Sequence, residues 1–454
     1  MMCLRLIARS RYITQVRTVM LSPSQVSTKL RKNEATVDGR VRAKFPVRAC
    51  DSNQLPSNSP NEDRRNVARI LSNNASIFGV FDGHAGPACA QTVSERLFDY
   101  VAISILNDEE LDAYNQGLRD GKAEPLLRQY HFENDYANHN LSHIYRQSLQ
   151  KFVVELLSAR EEDHELPLTK KIARAIRRLD SDILYEALDV MGNINFDALD
   201  AALSGTVGTV VYVHDLDVII ANFGDCRAVL GQQTAEGEWV AKPLTQDHCS
   251  DNKSEVDRLK KSHPMNEQVL VQNRLLGMLS PLRAMGDARF KWDVNDVKKI
   301  ESALDKSIMP PRYFTPPYLT SKPEMFHYSL TPRDRFIVLA TDGLWNFLSN
   351  EKVVQLVGDH MESVSTPERV YFDVTMNLGA MNRVLTKRKP NLNRPMNNNA
   401  ATHLIKNALA TEHRVMSKVL SYPQDIVRDV RDDITVTIIY LDEKFLDNKY
   451  VEEC

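Results

Sequence analysis

Apolar positions along the 454-residue chain follow two rhythms. Short β-branched and aromatic runs predict strands at Ile77–Phe81, Thr206–Val213, Asp217–Asn222, Arg227–Leu230, Arg335–Thr341 and Ile434–Leu441. His214-Asp215-Leu216 joins the second run to the third as a hairpin turn. Apolar residues spaced by three and four predict helices over Ala85–Leu106, Lys170–Val190 and Ala400–Ala410. In the second of these, Ile172, Ile176, Leu179, Ile183 and Leu184 share one face. Asn107 to Arg160 is mostly polar and reads as helical. Residues 50–62, rich in Asn, Ser and Pro, read as a loop entering the domain. Residues 290–325 hold prolines at 310, 311, 316, 317 and 323 and read as an extended surface segment, and 383–399 as a basic, Asn-rich exposed loop. The strands are hairpin-linked and grouped, not alternated with helices, so an α+β fold with largely antiparallel sheets is expected.

The N-terminus departs from this pattern. No acid precedes Glu34, while Arg5, Arg9, Arg11, Arg17, Lys29, Arg31 and Lys32 lie before it with several Ser and Thr. Apolar residues alternate with the arginines through Met1–Met20, the composition of a mitochondrial transit peptide. Residues 1–30 therefore read as a removable leader and 31–454 as one domain. The net charge of -3 gives no global signal for nucleic acid or a membrane surface, and no stretch approaches the ~20 apolar residues that cross a bilayer. Six cysteines without paired metal-ligand spacing fit a reducing compartment.

Candidate chemistry gathers at strand ends. The run Phe78–Phe81 stops at Asp82-Gly83-His84, and Phe336–Thr341 stops at Asp342-Gly343. Glu62-Asp63, Asp432-Asp433 before the last strand, and Asp225 in a Gly-Asp-Cys-Arg turn complete the set. Taken singly, each Asp-Gly is more often a turn than a ligand. Brought together, the carboxylates would repel one another unless cations lay among them. Hard oxygen donors with little His and no Cys favour Mg²⁺ or Mn²⁺. Two such ions about 3.5–4 Å apart could share and acidify a water for attack on a phosphoester, with His84 protonating the leaving alkoxide.

Eight ordered blocks carry a resemblance. They are Glu62-Asp63, Phe81–Gly86, Ser204–Thr206, Gly224–Arg227, Leu244–His248, Arg283–Asp287, Asp342–Trp345 and Arg431–Thr435. Together they resemble the metal-dependent protein phosphatases of type 2C. The resemblance implies a four-layer α-β-β-α sandwich: two mainly antiparallel sheets flanked by helices, with metals at one edge. Carried over by position, it implies that Asp82, the Gly83 carbonyl, Asp342 and Asp432 ligate two ions. Glu62 and Asp63 would hold metal-bound waters, Asp225 would serve a weaker third metal, and His84 would be the general acid.

Asp51–Pro56, Val93–Phe98, Pro316–Thr320 and Asn399–Ile405 look like the branch acting on the mitochondrial pyruvate dehydrogenase complex. That branch implies a matrix location and phosphoserine on the E1 α-subunit as substrate. The E2 lipoyl domain and a regulatory subunit are further candidate partners. Arg383, Lys387, Arg388, Lys389 and Arg394 could dock an acidic partner, although a solvated loop is the blander reading. Two positions depart from the family. Asn58 stands where an arginine often grips phosphate, which shifts that duty to the metals or to Arg64 or Arg65, and Asn346 stands where Asp is common. The rival readings are a catalytically silent binding module that has lost its metals, and an active phosphatase on another matrix phosphoprotein.

Overall fold

A computed structural model describes residues 20–38, 45–132, 141–159, 166–364, 379 and 398–453. Its first sheet contains Ala35–Asp38 (β1), Val47–Leu55 (β2), Arg227–Gln233 (β8), Trp239–Pro243 (β9), Asp334–Ala340 (β14) and Ile434–Leu441 (β15), in the spatial order β1-β2-β15-β14-β8-β9. The second contains Arg64–Ile70 (β3), Ser76–His84 (β4), Leu127–Phe132 (β5), Gly205–His214 (β6), Asp217–Phe223 (β7) and Glu324–Ser329 (β13), in the order β13-β7-β6-β4-β3-β5. A two-residue strand, Met285–Gly286 (β12), also pairs with β6, and Leu270–Val271 (β10) and Arg274–Leu275 (β11) form a separate small hairpin. Among the described residues every strand pairing is antiparallel.

The period-two alternation of the central strands divides the interior into two cores. On β14, Ile337 and Leu339 join the core that also contains β4 and β6, while Phe336, Val338 and Ala340 join the core on the other face. β15 splits likewise, with Ile439 and Leu441 on one side and Ile434, Val436, Ile438 and Tyr440 on the other. A strand covered on both faces has no charged side, so Ile434–Leu441 is apolar except for Thr435 and Thr437. Helices Ala88–Ser104, Leu168–Ala187 and Phe196–Leu203 cover the second sheet, and Asn350–Val364 and Ala400–Leu409 cover the first. The result is the expected four-layer sandwich. No helix among the described residues is long and apolar enough to cross a membrane.

Three expectations need correction. Residues 50–55 are the inner part of β2, not loop, because their polar side chains find buried partners. Asn53 Nδ2 donates to Leu30 O at 2.8 Å and to Thr402 Oγ1 at 2.7 Å. Within the segment expected to be extended, Val294–Leu304 is a helix capped by Asp293, whose side chain accepts from Asn295 N and Asp296 N. Within the stretch expected to be helical, Leu127–Phe132 is an edge strand.

The residues just before position 31 pack on the folded body. Pro23–Arg31 is a helix with a capping box on Ser22, and Leu21, Val26 and Leu30 are buried in the core outside the first sheet. Lys29 Nζ donates to Leu420 O and Leu21 N to Ser417 Oγ. A cut at residue 30 would strip these groups from the folded body. The five cationic residues expected to dock a partner, and residues 1–19, lie outside the described residues.

Candidate active site

Strand ends carry the chemistry to one edge of the sandwich. β4 runs to Asp82, Gly83 and His84, where Gly83 pairs with Thr206 and His84 with Gly205 of β6. β14 ends at Ala340, and the chain turns at once into a one-turn helix that begins with Asp342. Asp432 and Asp433 precede β15, which lies beside β14. Asp225 occupies the turn between β7 and β8, one strand in each sheet. Sheet order thus brings together carboxylates separated by up to 370 positions, from Glu62 to Asp432.

Their mutual influence is plain in their acidities. Asp82 is pushed well above the usual carboxylate range, first by burial and then by Asp63, Asp342, Asp225 and Asp432. Asp342 is raised to about 7 by burial, Asp225 and Asp432, and lies within hydrogen-bonding reach of Asp82. Asp225 is raised to about 6, chiefly by burial and then by Asp247. Asp63 rises through burial and the proximity of Asp433. Burial raises Asp432 as well. Glu62 rises through burial, opposed by Arg428. The group floors an open cleft, with Asp63 only 1% exposed, Asp82, Asp225 and Asp342 partly exposed, and Asp432 exposed. Crowding by protein and like charge, with solvent still at hand, sets these directions.

Unfilled valences point the same way. Asp63 Oδ2 accepts from Thr341 Oγ1 at 3.0 Å and Thr435 Oγ1 at 2.6 Å, yet Oδ1 is buried without a donor. Glu62 Oε1 accepts from Gly86 N at 2.7 Å. Its Oε2 has no hydrogen bond and only the Arg428 guanidinium at 3.3 Å. Orphaned oxygens beside several raised carboxylates fit a hard divalent cation. Among the described residues no three His, Cys, Asp or Glu side chains form a ready-made cage. The arrangement is a cleft whose remaining ligands would be water, as Mg²⁺ commonly keeps.

His84 is held by a residue to which the sequence reading gave no role. His84 Nε2 lies 2.6 Å from Asp287 Oδ2, whose side chain is 0% exposed. Burial disfavours the charged imidazole, but Asp287, Asp225 and Glu62 outweigh it and raise His84 above its ordinary value. Asp287 sits in the left-handed region (φ 51°), fixed there by Asp287 N donating to Ser204 O at 2.8 Å. Its position at the end of the Arg283–Asp287 block was the available signal. Gly205 completes the unit: a Cβ there would lie 2.2 Å from both His84 Nε2 and Asp287 Oδ2. That near contact explains the glycine of the Ser204-Gly205-Thr206 block.

Other candidates resolve into supports. Asp433 accepts from Ser57 N, from Asn58 N at 2.8 Å, from Asn58 Nδ2 at 2.9 Å and from Glu62 N at 3.0 Å, so it fixes the loop that presents Glu62. Asn58 is therefore a structural tether. Asn346 Nδ2 donates to Asp342 Oδ2 at 3.0 Å. Arg227 grips Asp247 with two bonds of 3.0 and 2.8 Å, leaving Asp225 to the cleft. His248 is fully buried. Its Nδ1 accepts from Gly224 N at 3.0 Å, and burial holds its pKa down to about 3, so it is a neutral anchor for the Asp225 turn.

Arg64 and Arg65, expected as substitutes for the missing phosphate arginine, cannot serve: both are 1% exposed and turned inward. Arg64 bonds Gln91 Oε1 and the carbonyls of Asn61 and Asp63, and Arg65 bonds Asn33 O. Arg428, half-exposed above Glu62 and close enough to temper both Glu62 and Asp432, was missed because the helix Gln424–Val430 reaches the cleft only through tertiary packing.

Comparison with known proteins follows this geometry. The family model for protein phosphatase 2C matches residues 135–382, a span that includes Asp225 and Asp342. The chain is 40% identical over 458 residues to the mitochondrial pyruvate dehydrogenase (acetyl-transferring) phosphatase 1 of Bos taurus, covering 94% of this chain and 84% of that one. It is 38% identical over 458 residues to the human mitochondrial phosphatase 2 of the same enzyme, covering 95% and 85%. Among solved structures, a serine-threonine phosphatase 2C from Toxoplasma gondii aligns with TM-score 0.44 and 17% identity, over 90% of this chain and 98% of that one.

Proposed function

Because the chain belongs to the protein phosphatase 2C family, we propose that it is a protein phosphatase of the mitochondrial matrix that hydrolyses phosphoserine on the E1 α-subunit of pyruvate dehydrogenase. The observation that carries the chemistry is the single cleft in which Asp82, Asp342, Asp432, Asp225 and Asp63 raise one another's pKa values beside a held His84. The substrate rests on the likeness to the bovine and human enzymes, which extends over nearly the whole chain. The location rests on their mitochondrial names and on the acid-free, arginine-rich first 33 residues.

In this reading Asp82, the Gly83 carbonyl, Asp342 and Asp432 hold two Mg²⁺ or Mn²⁺ ions. Glu62 and Asp63 orient water around them, and Asp225 serves a third, weaker position. Bound there, such ions supply an activated water nucleophile and neutralise the phosphate. His84, kept protonated by Asp287, delivers its proton to the departing serine oxygen. Arg428 receives the phosphate oxygens from the rim of the cleft, where a planar guanidinium can make two parallel bonds. The E2 lipoyl domain and a regulatory subunit remain further partners in this proposal.

The silent binding-module reading loses ground because Asn58 and Asn346 are hydrogen-bonded into the site and every candidate ligand carboxylate is retained. The test is phosphate release from phosphorylated E1 with Mg²⁺ or Mn²⁺, then with chelator, beside the Asp82→Asn variant. Metal-dependent release, lost in the variant, supports the proposal. Release only from a generic phosphoserine peptide would discard the substrate, and release from neither would discard the enzyme.

A further inference from the structure

A second cavity opens at the opposite end of β4. Its volume is about 470 Å³, within the range of small-molecule sites. β1 and β2 of one sheet and β3, β4 and β5 of the other form its walls, where the two sheets part. Ser76 and Phe78 line it, whereas Asp82 stands six residues beyond Ser76 on the same strand, about 20 Å away at strand rise. The cavity is therefore separate from the carboxylate cleft.

Its lining combines an apolar body with three guanidinium groups. Val37, Val47, Ala49, Val67, Ala68 and Phe78 supply apolar walls, and Arg48, Arg69 and Arg128 the charge. Among the described residues none of the three arginines is paired with a carboxylate. Each rests on a ring instead: Arg69 over Phe45 at 4.0 Å, Arg128 over Tyr130 at 5.6 Å and Arg48 over Tyr440 at 5.8 Å. Arg69 and Arg128 are direct cross-strand partners in the β3–β5 pairing. Like charges so placed are destabilising unless an anion lies between them. Arg69 Nε is buried without an acceptor, a donor that needs a partner.

From these features we infer a binding site for a small amphipathic anion: one carboxylate-like or phosphate-like head on a compact apolar body. The head lies between Arg69 and Arg128, accepts from Arg69 Nε and relieves the cross-strand repulsion. The body fills the space between the sheets against Val67 and Val47. The site owes nothing to the phosphatase reading, because it shares no residue with the cleft.

Octanoate is the probe, titrated by calorimetry into the full-length, Mg²⁺-loaded protein, with acetate and octan-1-ol as partial mimics. The expected result is saturable one-to-one octanoate binding, with both mimics at least about tenfold weaker, since each lacks either the body or the charge-assisted bonds. Arg69→Gln with Arg128→Gln should weaken octanoate by about tenfold or more. Val47→Trp, a separate route that fills the cavity and leaves the arginines, should abolish it. Circular dichroism and Mg²⁺-dependent hydrolysis should match the parent in both variants, which establishes that they fold. Absence of octanoate binding to the parent, equal binding to either folded variant, or octan-1-ol binding as tightly as octanoate would each overturn the inference.

Discussion

Replacing Gly205 with Ala should separate acid catalysis from the rest of the reaction. The added methyl would lie 2.2 Å from His84 Nε2 and 2.2 Å from Asp287 Oδ2, atoms that are themselves 2.6 Å apart. Gly205 cannot retreat, because its backbone pairs with His84 on one side and Gly286 on the other. The His84–Asp287 bond must open. A hydrogen bond to a charged group is worth about 1.5–3 kcal/mol, so if that energy is lost from the transition state the rate falls roughly 10- to 150-fold. Stability should fall as well, by about 1–3 kcal/mol, because Asp287 Oδ1 already lacks a donor and Oδ2 would lose its own.

The assay compares two leaving groups in steady-state kinetics at saturating Mg²⁺. A phosphoserine peptide expels a basic alkoxide that needs a proton, whereas p-nitrophenyl phosphate expels a stabilised phenolate that does not. The peptide rate should fall by the stated factor and the nitrophenyl rate should hardly change. An equal fall on both substrates would refute the reasoning, since it would mean that the methyl had disturbed the carboxylate cleft itself. No fall on either would refute the claim that Asp287 holds His84 for proton transfer.

Further consequences can be checked separately. Arg428→Ala should raise KM for a phosphopeptide by roughly tenfold with kcat little changed, as expected when one ionic contact to phosphate is removed; an unchanged KM would take Arg428 out of substrate binding. Glu255 is held at about 2: burial opposes its charge, but bonds from Arg283 and Arg258 prevail. A depressed carboxylate stabilises the fold above its unfolded pKa and loses that contribution as pH falls towards 2. Against the ordinary glutamate value of 4.5, Glu255→Gln should therefore destabilise by about 3 kcal/mol at pH 7, with the gap closing below pH 4.5 in denaturant titrations. A chain that starts at Lys32 should be less stable than one that starts at Met20, since it loses the burial of Leu21, Val26 and Leu30, worth about 1.5–3 kcal/mol each; equal melting temperatures would refute that contribution.

Much of this protein was legible before any fold was known, and the reasons are local. Ile434–Leu441 declared itself because a strand covered on both faces carries no charge and few polar groups. Asp82-Gly83-His84 stood out because an abrupt polar end to an apolar strand is a local pattern. β2 was misread because burial there is satisfied by distant partners: Asn53 looks like a loop residue until Leu30 and Thr402 meet it. Pro23–Arg31 carries the charge pattern of a leader, while its anchorage comes from Ser417 and Leu420 nearly 400 residues away.

The chain's own chemistry thus determined which residues bear charge at strand ends, which runs must be buried, and what kind of metal an all-oxygen set would accept. Only tertiary structure decided which of those charges meet. It turned Arg64 and Arg65 inward, tied Asn58 to Asp433, set Asp287 behind His84 and brought Arg428 to the rim. Side-chain type and alternation act over a few residues and can be read along the chain, whereas a carboxylate's acidity or an arginine's availability depends on neighbours that only the packing of the two sheets supplies.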